Sequence, residues 1–358
     1  MNAKKYSSLK IFHYPEKIRS LPPENPEVRP PLHIRLKPTN FCNHACSYCA
    51  YRQTGTQIGQ DMNERDFIPW DVMEAFLDDI AAMGVQAVTF SGGGEPLCYP
   101  FIGRTLEKLA ATDIRFAMLT NGSLLSGKAA DLLAASGTWV RVSIDGWDAD
   151  SYARYRRVGT DEFPKVMDNM AAFAKRGQHC QLGVSFIIDH DNAPHVFTFA
   201  RTLKDLGVKS LKVSPCIVSN SHADCNRYHR EIFNGVREQV ERVLAELAGP
   251  EFEVFDAYHE LDEKFDKPYH WCPFLQVQPV VGADQNIYAC HDKAYNIAGG
   301  RIGSLREGRF RDVWMSGKER FAGIDPARDC RHHCCNNKGN KLVLEYLAAA
   351  SSDHIRFV

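Results

Sequence analysis

The chain lacks a long uncharged apolar run, an excess of either charge, and any repeated or low-complexity segment. A membrane-spanning helix needs a run of about 18 apolar residues, so none is expected. The 43 basic and 44 acidic residues nearly cancel, which argues against the broad basic surface of a nucleic-acid-binding protein. No apolar stretch near Met1 has the length of a signal peptide. We therefore expect a cytoplasmic protein with neither nucleic acid nor membrane as a partner.

Cysteine is too sparse for a disulfide scaffold, since there are 12 among 358 residues. In a reducing compartment, clustered cysteines more often hold metal than pair with each other. Eight of the twelve fall into two groups, and these groups are the first candidates for metal sites. The first group is Cys42, Cys46 and Cys49, the second is Cys272, Cys290, Cys330, Cys334 and Cys335, and the scattered remainder is Cys98, Cys180, Cys216 and Cys225.

Between the two groups, short β-rich runs alternate with segments whose apolar residues recur at steps of three and four. This alternation predicts strand–helix units and a parallel sheet with right-handed crossovers. About 215 residues hold six units, fewer than the roughly 250 that a closed eight-unit barrel needs. The predicted fold is therefore α/β, an open, partial (β/α)6 barrel. The predicted strands are residues 33–38, 87–91, 114–119, 140–144, 183–188 and 210–213.

The regions on either side of this alternation differ from it in composition. Residues 1–32 are rich in proline, which predicts an extended arm on the surface. After Gly249-Pro250 the alternation stops and Cys, His, Gly and Asn become frequent. We therefore predict a core domain over residues 33–249 and a small, irregular α+β domain over residues 250–358 that binds a metal cluster and ends in a helix.

Cys42, Cys46 and Cys49 form a C-x₃-C-x₂-C triplet directly after the first predicted strand. In barrel folds, the loops at the C-terminal ends of the strands carry the chemistry. Three thiolates on one loop can each hold one iron of a four-iron, four-sulfur cluster and leave the fourth iron free to bind a small molecule. The alternative is a zinc site completed by His44 or a distant ligand.

The triplet and the strand ends that follow it resemble the radical S-adenosylmethionine (SAM) superfamily over about residues 33–215. Tyr48 precedes the last cysteine, as is common in that family, and Ser91-Gly92-Gly93-Gly94-Glu95-Pro96 resembles its GGE motif. Glycine lets the backbone approach a ligand closely. The resemblance implies a SAM site formed by Tyr48, Gly93, Gly94, Glu95, Asn121, Ser143, Asp145 and Arg157, with Arg156 as an equally plausible alternative to Arg157.

The second cysteine group resembles the SPASM module, or its shorter twitch form, which follows many radical SAM cores. The complete module uses seven cysteines for two clusters, whereas five are present here, so we expect one auxiliary four-iron, four-sulfur cluster. A β-hairpin between Cys272 and Cys290 would supply two ligands, and a later helix end the others. The preferred ligands are Cys272, Cys290, Cys330 and Cys334, with Cys335 as a rival for the fourth position and His291, His332 and His333 as less favoured substitutes. The alternative is a zinc ribbon.

Three residues outside both groups are weaker candidates. Cys216 follows the sixth predicted strand, where its thiol could face the barrel mouth and donate hydrogen to a substrate radical. The competing interpretation is that it is a small buried apolar side chain. Asp189 and His190 follow the fifth strand and are candidate substrate contacts.

The resemblance implies an enzyme that cleaves SAM reductively to a 5′-deoxyadenosyl radical, which abstracts hydrogen from a substrate. We expect a radical SAM oxidoreductase that dehydrogenates a sugar, cyclitol or similar polar metabolite, with the auxiliary cluster as electron acceptor. Reduced flavodoxin or ferredoxin is the expected electron donor. Open alternatives are modification of a ribosomally made peptide, a redox-neutral epimerisation and, more distantly, a non-catalytic iron–sulfur or zinc protein.

Overall fold

Seven parallel strands form the centre of the fold in a computed structural model that describes residues 5–176, 179–350 and 353–357. They follow one another in chain order across the sheet. Within the described residues, the last of them forms one edge of the sheet and does not pair with the first. The barrel is therefore open, as predicted. The strands are β1 His33–Leu36, β2 Ala87–Phe90, β3 Arg115–Thr120, β4 Trp139–Ser143, β5 Gln181–Ile188, β6 Ser210–Pro215 and β7 Glu253–Asp256.

Helices cover the outer face of the sheet. The helix that follows β1 shows why they form, since Met73, Phe76 and Ile80 recur on one face and are buried against the strands. Gly84 follows its end with a φ of 75°, the left-handed conformation that favours glycine. The helices of this part are α1 Pro15–Ser20, α2 Trp70–Ala82, α3 Ile102–Ala110, α4 Gly127–Ser136, α5 Ala149–Arg156, α6 Glu162–Arg176, α7 Val196–Asp205, α8 His222–His229 and α9 Phe233–Glu246.

The C-terminal region continues the same sheet. Strand β8, Val280–Val281, pairs in parallel with β1 and forms an antiparallel hairpin with β9, Asn286–Tyr288. Strand β10, Arg301–Ser304, completes the sheet. The hairpin predicted between Cys272 and Cys290 is thus confirmed. The remaining helices are α10 Ile297–Gly300, α11 Phe310–Met315, α12 Glu319–Ala322, α13 Pro326–Asp329 and α14 Asn337–Ala350.

The predicted end of the core at residue 249 does not coincide with a break in the sheet. Strand β7 lies beyond it and pairs in parallel with β6 over four residues. The strand was missed because it is short and follows Gly249-Pro250, which signals the end of an element. No helix within the described ranges combines the length and apolarity needed to cross a membrane.

The prediction of an extended arm over residues 1–32 is wrong for residues 8–20. A 3₁₀ helix spans Ser8–His13, and α1 starts at Pro15. Proline is favoured at the first position of a helix, where its missing N–H would have no partner in any case. Ile18 of α1 packs in a small apolar cluster with Val277 and with Val343 of α14. The N-terminal region is therefore fixed to the C-terminal region.

Candidate functional site

The first cysteine group lies on the loop that leaves the C-terminal end of β1. Cys42, Cys46 and Cys49 are each partly buried. The loop is held by the end of α5, since the Ala45 and Ser47 N–H groups donate to the carbonyl oxygens of Arg156 and Tyr155 at 3.1 and 2.9 Å. Burial raises the pKa of Cys42 to about 12. A bare thiolate is thus unfavourable in this loop, and a positively charged metal group would offset that cost.

Three cysteines on one loop match the ligand set of a four-iron cluster. Among the described residues, no three His, Cys, Asp or Glu side chains are placed to hold one metal ion. A four-iron cluster spaces its thiolate ligands more widely than one ion does. The guanidinium of Arg156 lies beside this group, with Nη1 3.5 Å from Cys46 Sγ. A cation at this position would stabilise the thiolate form.

The glycine-rich turn after β2 packs directly on the cysteine loop. The Gly94 and Glu95 N–H groups donate to the carbonyl oxygens of Thr39 and Phe41 at 3.1 and 2.9 Å. A Cβ atom on Gly94 would overlap the Phe41 carbonyl oxygen, and one on Gly93 would overlap Asn40 Oδ1. These two glycines are therefore required for the close approach of the turn to the cysteine loop.

The Glu95 carboxylate is not free, because it accepts hydrogen bonds from other residues of the protein. It is buried, and it accepts hydrogen bonds from the Leu97 N–H at 3.0 Å, the Thr120 hydroxyl at 2.7 Å and the Asn121 N–H at 2.7 Å. The Asn121 side chain in turn donates to Asn43 Oδ1 at 2.8 Å. These contacts join the glycine turn, the end of β3 and the cysteine loop into one unit. That Glu95 also balances an ammonium group stays a prediction.

The end of β4 supplies a buried carboxylate at the centre of the site. Asp145 Oδ1 accepts from the Ile187 N–H at 2.8 Å, while Oδ2 accepts from Arg156 Nη2 at 2.7 Å and from the Tyr48 hydroxyl. Burial raises the pKa of Asp145 to about 6, and the charge of Arg156 opposes that rise. The predicted contact residues Tyr48 and Asp145 therefore meet directly, and Arg156 binds the same carboxylate oxygen.

Of the two alternatives Arg156 and Arg157, the structure places Arg156 at the buried carboxylate, and the contact of either residue with SAM stays a prediction. Helix α5 ends at Arg156, and Arg157 takes a left-handed conformation with φ of 53°. This turn leaves Arg157 exposed, whereas Arg156 is 4% exposed and points to Asp145. Two adjacent arginines cannot be ranked from the sequence without knowing where the helix ends.

The second cysteine group comes together between the hairpin and two helix ends. Cys290 follows β9, Cys330 ends α13, and Cys334 is held by its N–H, which donates to the Lys264 carbonyl oxygen at 2.9 Å. Burial raises the pKa of Cys272 to about 12, and the neighbouring charge of Cys330 adds to the rise. Burial raises the pKa of Cys334, and the charges of Asp292, Cys335, Cys272 and Cys290 add to the rise. Cys272, Cys290, Cys330 and Cys334 therefore lie near one another, with Cys335 beside them.

Cys335 differs from these four because it faces a large cavity. Its N–H donates to Asp292 Oδ2 at 3.0 Å, and its side chain lines the interior of the barrel. The choice of Cys334 over Cys335 as the fourth ligand stays a prediction. His291, His332 and His333 also line the cavity.

The cavity occupies the lumen of the open barrel and has a volume of about 990 Å³. The strands that surround it alternate between buried apolar side chains and side chains that face inward. Several of the inward positions are polar or charged. They include Ser143, Ser185 and Ser214, together with Arg35, Arg141 and Lys212.

A family model described as the Radical SAM superfamily matches residues 36–203. The chain therefore contains a radical SAM domain. Its cofactors are SAM and a four-iron, four-sulfur cluster. The matched range starts at the last residue of β1 and includes the cysteine loop, the glycine turn and the ends of β2 to β5.

The relatives of this radical SAM domain have several activities. A GTP 3′,8-cyclase of Geobacter sulfurreducens is 27% identical over 225 residues, which cover 61% of this chain and 67% of that protein. A serine-type anaerobic sulfatase-maturating enzyme of Bacteroides thetaiotaomicron is 27% identical over 198 residues, which cover 52% of this chain and 47% of that protein. Several matches extend over about half the length of the curated relative or less.

Solved structures share the fold beyond the radical SAM domain. Streptococcus suis SuiB bound to SAM has a TM-score of 0.60 at 17% identity, covering 82% of this chain and 67% of that one. The structure described as native anSMEcpe with bound AdoMet has a TM-score of 0.59 at 18% identity, covering 89% and 98%. At these identities, the likeness establishes the fold.

Cys216 does not line the lumen of the radical SAM domain, contrary to its predicted position. Ser214, Pro215 and Ile217 line the cavity at this strand end, while Cys216 is buried beside them. Burial raises the pKa of its thiol to about 12. The predicted position of Cys216 at the barrel mouth is therefore not observed, and its role as a catalytic thiol stays a prediction.

The Asp189 and His190 side chains also form hydrogen bonds with other residues of the protein. Asp189 Oδ1 accepts from the Tyr155 hydroxyl at 2.6 Å, and His190 Nε2 lies 2.6 Å from the Tyr228 carbonyl oxygen. Neither residue is part of the cavity wall. Sequence reasoning missed Arg35, Arg141 and Lys212, although a charged residue between two apolar residues in a strand is a signal of a polar lumen.

Proposed function

We propose that this protein is a radical SAM enzyme that removes hydrogen from a polar small molecule held in the barrel lumen, in an oxidation of a sugar, cyclitol or similar metabolite. The observation that carries this proposal is the set of serine hydroxyls that face the cavity. The Ser143, Ser185 and Ser214 hydroxyls line it, and no hydroxyl hydrogen bond ties them to another described residue. A volume of about 990 Å³ is at the upper end of the range for small-molecule sites.

We assign the thiols of Cys42, Cys46 and Cys49 to the cluster that binds SAM, and Cys272, Cys290, Cys330 and Cys334 to an auxiliary cluster. When bound, the first cluster and SAM supply one-electron chemistry that removes hydrogen from an unactivated C–H bond, and the second would supply an acceptor for the second electron of an oxidation. This chain orients those groups.

The residues between the two cysteine groups position the cysteine loop and the substrate. The Asp145 carboxylate and the Arg156 guanidinium fix the cysteine loop against the end of β4. Because Ser143 is assigned to SAM, Ser185 and Ser214 would orient substrate hydroxyl groups by hydrogen bonds, and the surrounding strands would limit the access of water to the lumen. Orientation matters because a misplaced substrate would present the wrong C–H bond.

Anaerobic, iron-reconstituted protein tests the assignment of the two cysteine groups. The wild type should hold about eight irons per chain and release 5′-deoxyadenosine from SAM under strong reductant, since two four-iron clusters are assigned. Cys46→Ala should abolish that release. Cys272→Ala should retain it while losing about half of the iron and stopping substrate turnover. Cys180→Ala, a buried cysteine outside both groups, should change neither.

The nature of the reaction is tested by comparing metabolite extracts incubated with active and Cys46→Ala protein. A dehydrogenation gives a product lighter by two mass units, whereas an epimerisation gives a product of unchanged composition that takes up deuterium from D₂O. Wild-type protein that bound iron but released no 5′-deoxyadenosine would contradict the proposal. Normal turnover by Cys272→Ala would show that the reaction does not need the auxiliary cluster.

Modification of a peptide is the second candidate. SuiB has been solved with its precursor peptide SuiA, and anSMEcpe with the Kp18Cys peptide. These structures cover 88% and 90% of this chain at TM-scores of 0.61 and 0.58. A peptide that changed mass in the incubation with active protein would favour this candidate over a free metabolite.

A further inference from the structure

Three cationic side chains project into the barrel lumen from three different strands. Arg35 lies on β1, Arg141 on β4 and Lys212 on β6, and all three line the cavity. Each stands between two fully buried apolar residues of its own strand, so its inward direction is fixed by the alternation of the strand. The flanking residues are Ile34 and Leu36, Val140 and Val142, and Leu211 and Val213.

None of the three cations has a carboxylate within 4.0 Å among the described residues. Arg35 Nε is buried and has no hydrogen-bond acceptor in the part of the chain that the structure describes. The carboxylates on the same cavity wall have partners elsewhere. Glu253 pairs with Lys5 at 2.8 Å, Asp256 with His259 at 2.5 Å, Glu260 with Lys338 at 3.5 Å and Asp292 with His333 at 3.6 Å.

The unpaired cations also repel one another in a poorly solvated place. Burial lowers the pKa of Lys212 to about 8, and the charges of Arg141, Lys264 and Arg35 contribute to the lowering. Burial lowers the pKa of Arg141 to about 10. The Tyr6 ring lies 4.8 Å from the Arg141 guanidinium and 5.7 Å from Lys212 Nζ, and so supplies only a weak counter-interaction. An anion between the three side chains would offset this cost.

The second cysteine group offers one thiol to these cations. Cys335 lines the cavity and interacts with Arg35 and Lys212, whereas Cys272, Cys290, Cys330 and Cys334 are not part of the cavity wall. One thiol does not balance three cations. A further anion in the cavity would do so.

We propose that Arg35, Arg141 and Lys212 bind a phosphoryl group of the substrate. The inference rests on the proposed function, because it specifies the molecule that the lumen holds. Two arginines and a lysine match the double negative charge and the several oxygens of a phosphate better than a single carboxylate does. The substrate is accordingly a phosphorylated or nucleotide-linked polar metabolite.

The layering of the lumen sets the orientation of that substrate. Arg141 precedes Ser143 by two residues on β4, and Lys212 precedes Ser214 by two residues on β6. Two residues along a strand correspond to about 6.6 Å. The phosphoryl group therefore lies one layer deeper than the serines, and the hydroxyl-bearing part of the substrate points towards the cysteine loop at the C-terminal ends of the strands.

Calorimetric titration of the anaerobically reconstituted full chain, in a phosphate-free buffer of low ionic strength, tests the proposal. Inorganic phosphate is the probe, and acetate represents a carboxylate. Phosphate should bind the wild type and bind at least tenfold more weakly to Arg141→Gln or Lys212→Met. Acetate should bind the wild type at least tenfold more weakly than phosphate. Arg115→Gln is the matched control, because Arg115 is an exposed arginine on neighbouring β3, and it should leave phosphate affinity unchanged.

Each outcome supports or overturns the assignment. The assignment would be overturned if phosphate did not bind the wild type, or if it bound the wild type and the variants equally. Equal affinity for acetate and phosphate would also overturn it, because the site would then be one for a carboxylate. Thermal unfolding of every variant checks that it is folded. Cys46→Ala separates the two proposals, because a chain that cannot cleave SAM should still bind phosphate. Phosphate binding by wild-type protein that releases no 5′-deoxyadenosine would overturn the proposed function alone.

Discussion

At the scale of single residues, the glycine turn matters because its missing side chains let a neighbouring backbone pack directly against it. The Gly94 N–H donates to the Thr39 carbonyl oxygen, and the position of its missing Cβ is taken by the backbone of Phe41. The sequence predicted a close approach at this glycine, but to a ligand. The observed partner is the loop that carries Cys42, which is distant in sequence and therefore not visible in the motif itself.

Gly94→Ala should therefore displace the cysteine loop. The added methyl group meets backbone atoms that cannot move aside, and overpacking of this kind costs about 1–3 kcal/mol. We expect a lower thermal unfolding midpoint, iron reduced towards half of the wild-type content, and loss of 5′-deoxyadenosine release. Gly103→Ala is the matched control. Gly103 lies in α3 with no atom within 4 Å of its missing Cβ, so the change should stabilise the protein by about 0.5–1 kcal/mol.

Lys212 links the candidate site to stability. Its pKa is lowered to about 8 in the folded protein, against an unfolded value of about 10.4. Between these two values the unfolded chain binds more protons, so the stability contribution of Lys212 rises with pH across this window and its full cost applies below pH 8. Lys212→Met should therefore raise the unfolding midpoint at pH 7, and the gain should shrink as the pH approaches 10.

Thermal unfolding at a series of pH values in phosphate-free buffer measures this difference. Lys128→Met is the control, because the Lys128 side chain is 72% exposed and its removal should give a small difference that does not change with pH. A Lys212→Met protein less stable than the wild type at pH 7 would mean that the lysine has a stabilising partner within the protein.

At the scale of secondary-structure elements, the central strands were predictable because each is short, apolar and bounded by turn residues. All six predicted strands overlap β1 to β6. The elements that were missed depend on tertiary packing. The helix α1 is only six residues long, too short to be stable alone, and it forms where Ile18 packs on Val277 and Val343. Likewise, β7 forms a strand because it pairs with β6.

The candidate site was predictable to the extent that its signals were local. The cysteine spacing and the glycine turn are contiguous motifs, and the structure brings their loops together. The choice between Arg156 and Arg157 depended on the last residue of α5, and the inward cations depended on which face of each strand meets the lumen. Those two facts are set by the assembled sheet, because a shift of one residue reverses every inward and outward position.

At the scale of the whole molecule, one sheet unites the two predicted domains. The Arg35 and Lys37 N–H groups of the β1 edge donate to the Pro279 and Val281 carbonyl oxygens at 3.0 and 2.9 Å. The C-terminal region also covers the N-terminal helices through Val277 and Val343. Separation at residue 249 would therefore leave an unpaired β1 edge, no β7, and an uncovered apolar cluster.

A chain ending at Gly249 should consequently fail to form a stable domain. An exposed strand edge beside uncovered apolar side chains favours aggregation, so we expect insoluble protein, or soluble protein without a cooperative thermal transition. A chain ending at Ala350 is the control, since it retains all of α14 and should unfold at nearly the wild-type temperature. A soluble 1–249 fragment that unfolded cooperatively would show that the hydrogen bonds between β1 and β8 join two units that are each stable alone, and the continuous sheet would then reflect docking rather than a shared folding unit.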